Sequence, residues 1–137
     1  MAATVLKELV KKRGHLIPED YPFIIDAKIE SLEKTKQVKD LLIKLGFEKE
    51  LARGSQKKIR PGKGKNRGRK YVKKVSLLIV VGNDCKLLQA GKNIPGVEIA
   101  TVNQLNAELL APGASLGRAT LWSSEALERL SKEKLFL

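Results

Sequence analysis

Short apolar runs alternate with helix-patterned segments along most of the chain. The runs at 22–26, 75–81 and 97–100 and the alternating segment at 118–122 predict four β-strands. The run at 75–81 is apolar at nearly every position, as is typical of a strand buried on both faces. Such strands belong to parallel sheets, so the pattern favours a parallel sheet.

Helical spacing fills the segments between these strands. The clearest helix follows Thr35, a good N-cap residue, and Gly46 closes it. Its inner face has the apolar residues Val38, Leu41, Leu42 and Leu45. Further helices are predicted at 2–13, 28–34 and 48–53, and after Asn83 or Asp84, Thr101, and Ser123 or Ser124. This alternation predicts an α/β fold, with a mostly parallel sheet of about four strands that is flanked by helices and carries a basic loop insert.

Two of these helices carry more detailed predictions. In the first, the spacing of the apolar residues predicts an inner face made of Val5, Leu6, Leu9 and Val10. In the helix after 97–100, Thr101 and Gln104 match a capping box. The length of 137 residues is typical of one domain, so 1–137 is predicted to be a single α/β domain.

One segment differs from the rest of the chain in charge. Residues 57–74 contain ten Lys or Arg residues and no acid, whereas the whole chain has 27 basic and 15 acidic residues. The remainder therefore has 17 basic and 15 acidic residues and is almost neutral. So dense a charge repels itself, and we expect a loop that does not fold alone and settles on nucleic acid. The predicted contacts are Lys57, Lys58, Arg60, Lys63, Lys65, Arg67, Arg69, Lys70, Lys73 and Lys74.

The composition of the basic segment favours contacts to phosphates over stacking on bases. Gly62, Gly64 and Gly68 lie between the basic residues and let the backbone approach a phosphate closely. Aromatic residues make up only 4% of the chain, which argues against a base-stacking platform. Basic runs also occur as solvated tails, linkers or localisation signals, but usually at termini, and this run lies between structured segments.

The residue types that most enzymes and metal sites need are scarce. Cys85 and His15 are the only cysteine and histidine, so we expect no metal and no cofactor, with His15 at a helix end or on the surface. Neither a P-loop nor a dinucleotide fingerprint is present, and Asp26, at a strand end, has no identifiable partner. The longest apolar run, 77–81, is far short of the roughly 20 residues that cross a bilayer. We therefore expect neither an enzyme nor a membrane partner.

Three segments of the chain together resemble a known family. They are AATVLKELVKKRGHLIP (2–18), KIRPGKGKNRGRKY (58–71) and NIPGVEIATVNQLNAELLAPGASLGRATLWSSEALERL (93–130). In this order they resemble the C-terminal half of large-subunit ribosomal proteins of the L-four family, in its archaeal and eukaryotic form. The combination of the glycine-rich basic loop with the ELLAPG segment and the LWSSEAL ending carries the resemblance.

The resemblance implies a structural protein of the cytoplasmic ribosome, with large-subunit rRNA and neighbouring ribosomal proteins as partners. It implies that 57–74 lies on rRNA and that the turn between Gly113 and Arg118 makes a second, smaller RNA contact through Arg118. Family members are longer, so an N-terminal half is expected to be either a separate partner chain or absent. A free-standing regulatory RNA-binding module and, less favoured, an RNA-associated α/β enzyme remain alternatives.

Overall fold

The computed structural model describes residues 1–135. Within them the strands are β1 (Ile24–Ile25), β2 (Lys57–Ile59), β3 (Tyr71–Lys73), β4 (Leu78–Val81), β5 (Glu98–Thr101) and β6 (Thr120–Ser123). The α-helices are α1 (Lys7–Lys12), α2 (Thr35–Lys44), α3 (Glu48–Ser55), α4 (Leu87–Gly91), α5 (Ala107–Leu110) and α6 (Ser124–Lys132). Short 3₁₀ turns connect several of them.

A four-stranded parallel sheet forms the centre of the fold, in the order β1, β6, β4, β5. Leu78 of β4 is in register with Thr120 of β6 on one side and with Glu98 of β5 on the other. All four residues of β4 are buried, as its unbroken apolar run predicted. The α/β fold class with a mostly parallel sheet is confirmed, although each strand is shorter than its run or shifted by a residue.

The two faces of the sheet bury separate apolar clusters. Side chains alternate along β4, so Ile79 belongs to the cluster shared with α2, α3 and α4, while Leu78 belongs to the cluster shared with α6. Fully burying one such side chain contributes roughly 1.5–3 kcal/mol. Helices cover both faces of the parallel sheet, so the apolar side chains on each face of its strands are buried.

The first predicted helix is the largest departure from the sequence pattern. A 3₁₀ turn at Ala2–Thr4 precedes α1, and of the predicted inner face only Val10 is fully buried. Leu6 has extended backbone angles and is 55% exposed. The buried Tyr21 hydroxyl donates to the Thr4 carbonyl, and this polar contact holds the bend that interrupts the helix.

Two predicted helix caps are also wrong. Thr35 is the first helical residue of α2 and makes no capping hydrogen bond, although Val38 and Leu42 are buried as predicted. Val102–Gln104 is only a 3₁₀ turn, without a side-chain cap from Thr101. The next helix, α5, starts after Asn106, whose Oδ1 accepts from the Leu109 N–H at 2.7 Å. Asparagine is among the best N-cap residues, so this later start is preferred.

Candidate nucleic-acid interface

The basic segment folds as a β-hairpin, which corrects the expectation of a loop without structure of its own. Strands β2 and β3 pair antiparallel, with Lys57 opposite Lys73 and Ile59 opposite Tyr71. A hydrogen bond of 2.8 Å from the Arg60 N–H to the Lys70 carbonyl continues the ladder. We call residues 57–74 the basic hairpin.

The tip of the basic hairpin is held by its own backbone. The N–H groups of Arg67 and Arg69 donate to the Gly64 carbonyl at 3.3 and 3.0 Å, and Arg60 Nε donates to the Arg69 carbonyl at 3.1 Å. Gly68 has a φ of +75°, in the left-handed region where a side chain is strained. The tip therefore presents its cationic side chains from a compact turn.

The cationic side chains of the basic hairpin face solvent. Nine of the ten Lys and Arg residues are exposed and Arg60 is half-buried. Within the described residues, none of them has a carboxylate within 4.0 Å. Lys57 opposite Lys73 is a repulsive cross-strand pair, while the Ile59–Tyr71 pair is attractive. The basic side chains of the hairpin repel one another and have no carboxylate partner, so they are available to bind a polyanion.

A buried polar cluster anchors the base of the hairpin. The Glu50 side chain in α3 is fully buried and its carboxylate accepts from Arg53 Nη2 at 2.6 Å, the Leu16 N–H at 2.9 Å and Ser76 Oγ at 2.9 Å. Arg53 Nη2 also donates to the Val75 carbonyl at 2.8 Å, directly after β3. The cluster thus joins α3, the N-terminal segment and the second strand of the hairpin.

Glu50 stays ionised although it is buried. Burial by itself would raise the pKa of Glu50, but the hydrogen bonds from Arg53, His15 and the Leu16 N–H outweigh it and lower the pKa to about 2. His15 Nδ1 lies 2.7 Å from Glu50 Oε1. A carboxylate only accepts, so Nδ1 carries the proton and donates. His15 lies just after the end of α1, where its backbone N–H donates to the Val10 carbonyl, as one of the two expectations had it. The other expectation, a surface position, is wrong, because His15 is 5% exposed.

Arg118, predicted as a second RNA contact, lies in the protein interior. Its side chain is fully buried, and Nε donates to the Ser76 carbonyl at 3.0 Å. Nη1 donates to Glu98 Oε2 at 2.6 Å and to the Leu109 carbonyl at 2.8 Å. Burial lowers the pKa of Arg118, and Glu98 opposes this shift. The guanidinium is enclosed by its own protein partners, so we leave Arg118 out of the RNA surface proposed below.

The carboxyl ends of the strands, where α/β proteins usually bind nucleotides, are filled by acidic side chains. Glu30 Oε1 accepts from the Gly82 N–H at 3.1 Å and from Ser123 Oγ at 2.6 Å. A Cβ on Gly82 would lie 2.7 Å from Cγ of Glu125. Asp26, the candidate acid, is exposed and lies 3.9 Å from Lys28. Phosphate would meet carboxylates at this edge, which disfavours nucleotide binding.

Residues 1–135 contain no group of three or more His, Cys, Asp or Glu side chains able to hold a metal ion. In the same range no helix has the length and apolar character needed to cross a bilayer.

Comparison with known proteins places the chain in a family. Residues 1–133 match the family described as "Ribosomal protein L4/L1 family". The chain is 50% identical to the large ribosomal subunit protein uL4 of Nanoarchaeum equitans, over 99% of this chain and 51% of that protein. It is 46% identical to the uL4 proteins of Methanococcoides burtonii and Methanocaldococcus jannaschii, over 100% and 96% of this chain. It thus spans about half the length of these curated relatives, 51–54%. The resemblance at the family level is confirmed, and the chain belongs to the ribosomal protein L4/L1 family.

Proposed function

We propose that this chain is a structural constituent of the large ribosomal subunit in the cytoplasm, and that the basic hairpin binds rRNA. The observation that carries the proposal is the acid-free set of ten basic side chains, nine of them exposed, on a hairpin anchored to the core. The matched relatives are named as large-subunit proteins, which supports the same role. Neighbouring ribosomal proteins are then further partners.

The chemistry of the hairpin suits an RNA backbone. Arginine forms bidentate hydrogen bonds to two phosphate oxygens, and lysine supplies a point charge on a flexible side chain. The proposed contacts are Lys57, Lys58, Arg60, Lys63, Lys65, Arg67, Arg69, Lys70, Lys73 and Lys74. Tyr71 is the one aromatic residue in the hairpin, and Lys70 Nζ lies 5.6 Å from its ring centroid. The contact is therefore made mainly to phosphates, which position a protein on RNA without reading sequence.

We infer that the matched part of the relatives is their C-terminal half and that residues 1–137 form one α/β domain. The order of the three resembling segments supports the first inference. The second is supported by the parallel sheet, which takes strands from Ile24 to Ser123 and has helices on both faces. A separate chain carrying the other half remains a candidate partner, and co-purification with that fragment tests it.

A structural role is favoured over the alternatives. An RNA-associated enzyme would need a substrate site at the carboxyl ends of the strands, where Glu30 and Glu125 lie beside Gly82. A regulatory RNA-binding module would use the same hairpin, so only the partner separates it from a ribosomal protein. Sedimentation with large subunits rather than with messenger RNA makes this distinction.

The test combines sedimentation with a hairpin variant. The chain should sediment with large subunits, and Arg67→Ala/Arg69→Ala should weaken rRNA binding by about tenfold or more, because two bidentate charge contacts are lost. The matched control is Lys28→Ala/Lys36→Ala, which removes the same charge from exposed positions outside the hairpin. Equal rRNA affinity of the two double variants, at unchanged thermal stability, would contradict the proposal.

A further inference from the structure

A groove of about 470 Å³ separates the base of the basic hairpin from the turn that leads into β5. Lys57, Lys73 and Lys74 line one side. The other side is the segment Lys92–Glu98, which belongs to the body of the α/β fold. We call this space the stem groove. Its lining continues the positive surface of the hairpin onto a part of the chain that the sequence does not mark as basic.

The two sides of the stem groove are held together by backbone packing. The Ser76 N–H donates to the Gly96 carbonyl at 2.8 Å. Gly96 has a φ of +80°, and a Cβ there would lie 3.0 Å from the Lys74 carbonyl oxygen and 3.1 Å from Cβ of Ser76. The hairpin therefore meets the turn at a glycine that no other residue replaces without strain, and the width of the groove is set before any ligand binds.

The stem groove has an excess of positive charge. Four lysines line it, Lys57, Lys73, Lys74 and Lys92, against one acid, Glu98. The Glu98 carboxylate already accepts from the buried Arg118 at 2.6 Å. In the part of the chain that the structure describes, none of the four lysines has a carboxylate within 4.0 Å. The buried apolar residues Ile94 and Val97 are part of the lining, and such low-dielectric walls strengthen the field within the groove.

The lining also indicates which part of a nucleic acid fits. The residues around the stem groove include no aromatic side chain on which a base could stack. Lysine ammonium groups and the backbone of a turn are instead typical contacts of phosphate oxygens. An acidic peptide would offer similar charge. The groove, however, is continuous with the hairpin, whose lysine and arginine side chains are proposed to bind RNA.

We propose that the stem groove is a second binding site for the phosphate backbone of RNA, with Lys92 as its contact from the body of the protein. The inference rests on the proposed function and extends the RNA path from the hairpin onto the sheet edge at β5. The ordinary role of a lysine just after a helix is to stabilise the helix end, but α4 has only five residues. The groove gives Lys92 a second role.

The test compares two charge reversals in the full chain. Lys92→Glu should weaken binding to a large-subunit rRNA transcript by about threefold to tenfold at 0.1 M salt and flatten the log–log salt slope by about 1. Lys28→Glu is the matched control, because Lys28 is an exposed lysine after β1, at the opposite edge of the sheet. Its effect should stay below about twofold. Equal effects of the two variants at equal melting temperature would overturn the inference.

A second measurement needs no variant. Acylation of lysines in the wild-type chain, read by mass spectrometry, should show Lys92 protected by the rRNA transcript and Lys28 still reactive. Polyglutamate at the same charge concentration should protect Lys92 less. Equal protection by polyglutamate, or no protection by RNA, would overturn the inference. If Arg67→Ala/Arg69→Ala weakens binding while Lys92→Glu matches its control, only the groove inference fails. If the wild type does not bind rRNA, the proposed function fails.

Discussion

The basic hairpin and the body of the α/β fold use cationic side chains in opposite ways. In the hairpin, ten basic residues lie together without an acid, and nine of them are exposed. In the body of the fold, the partly buried Arg53 and the fully buried Arg118 each have a carboxylate oxygen at 2.6 Å and donate to backbone carbonyls. The same residue type is therefore either a free charge or a structural hydrogen-bond donor, depending on its place in the fold.

This difference has an energetic cause. A buried charge is tolerated only with its partners, so removing one side of the pair leaves an uncompensated group and costs stability. An exposed charge is solvated in the folded and unfolded chain alike, so its removal changes stability little. Interior arginines should therefore control folding, and hairpin arginines should control binding.

Removal of an interior arginine should have the largest effect. We expect Arg118→Met to lower the free energy of unfolding by about 3 kcal/mol or more, because buried carbonyls and Glu98 lose their donor. Urea unfolding measures the loss, and Lys28→Met serves as the exposed control. The rRNA affinity of the folded fraction should not change. A stable Arg118→Met protein with weakened rRNA binding would show that Arg118 contacts RNA after all.

Acid should weaken the anchor of the hairpin through Glu50. Its pKa is lowered from 4.5 to about 2 in the folded chain, so its ionised form stabilises the fold above pH 4.5. This contribution, on the order of 3 kcal/mol, should be lost as the pH falls from about 4.5 towards 2. Urea midpoints measured across this range test the prediction. Glu50→Gln should be less stable at pH 7 and should lose less on acidification; identical pH profiles would contradict the assignment.

The salt dependence of binding reports on the exposed charges. If about half of the ten Lys and Arg residues of the basic hairpin contact phosphates, the log–log slope of rRNA affinity against salt should be near −4. Arg67→Ala/Arg69→Ala should flatten it by about 1 to 2, while its unfolding free energy stays within about 0.5 kcal/mol of wild type. Filter binding at several salt concentrations gives the slope. A slope near zero for the wild type would contradict an electrostatic contact.

The cross-strand pair inside the hairpin should have the smallest effect. Tyr71→Ala removes the partner of Ile59, and such pairs contribute roughly 0.2–1 kcal/mol. We expect a change in rRNA affinity of only a few-fold, because a less ordered hairpin must be fixed on binding, and almost no change in global stability. Tyr71→Phe keeps the ring and should bind like wild type. A large loss with Tyr71→Phe would instead assign the hydroxyl to an RNA contact.

Local pattern was sufficient where one physical requirement dominates. The all-apolar run that became β4 could be satisfied only by burial on both faces, and the spacing of Val38 and Leu42 specified the inner face of α2. The sequence pattern gave a wrong prediction where a residue distant in sequence sets the backbone conformation. Nothing near Leu6 in sequence indicates that Tyr21 donates to the Thr4 carbonyl and holds the bend before α1.

The candidate site divides in the same way. The charge of the site was evident from the sequence, because ten basic residues without an acidic one can be counted without knowing any tertiary contact. The hairpin was not, since its two short strands have few apolar residues and place Lys57 opposite Lys73. Lys92 was also missed, because it joins the basic surface only where the turn before β5 packs against the hairpin.

The fold class, the family and the concentration of positive charge in one segment follow from the sequence alone. These properties depend on periodicity, composition and motif order, which are local. Which cations are free depends on the three-dimensional fold. Arg118 follows the same glycine-containing turn that suggested an RNA contact, yet the sheet places it beside Ser76 and Glu98 and encloses it. Whether a charge binds RNA or supports the core depends on solvation and partners, and the fold sets both.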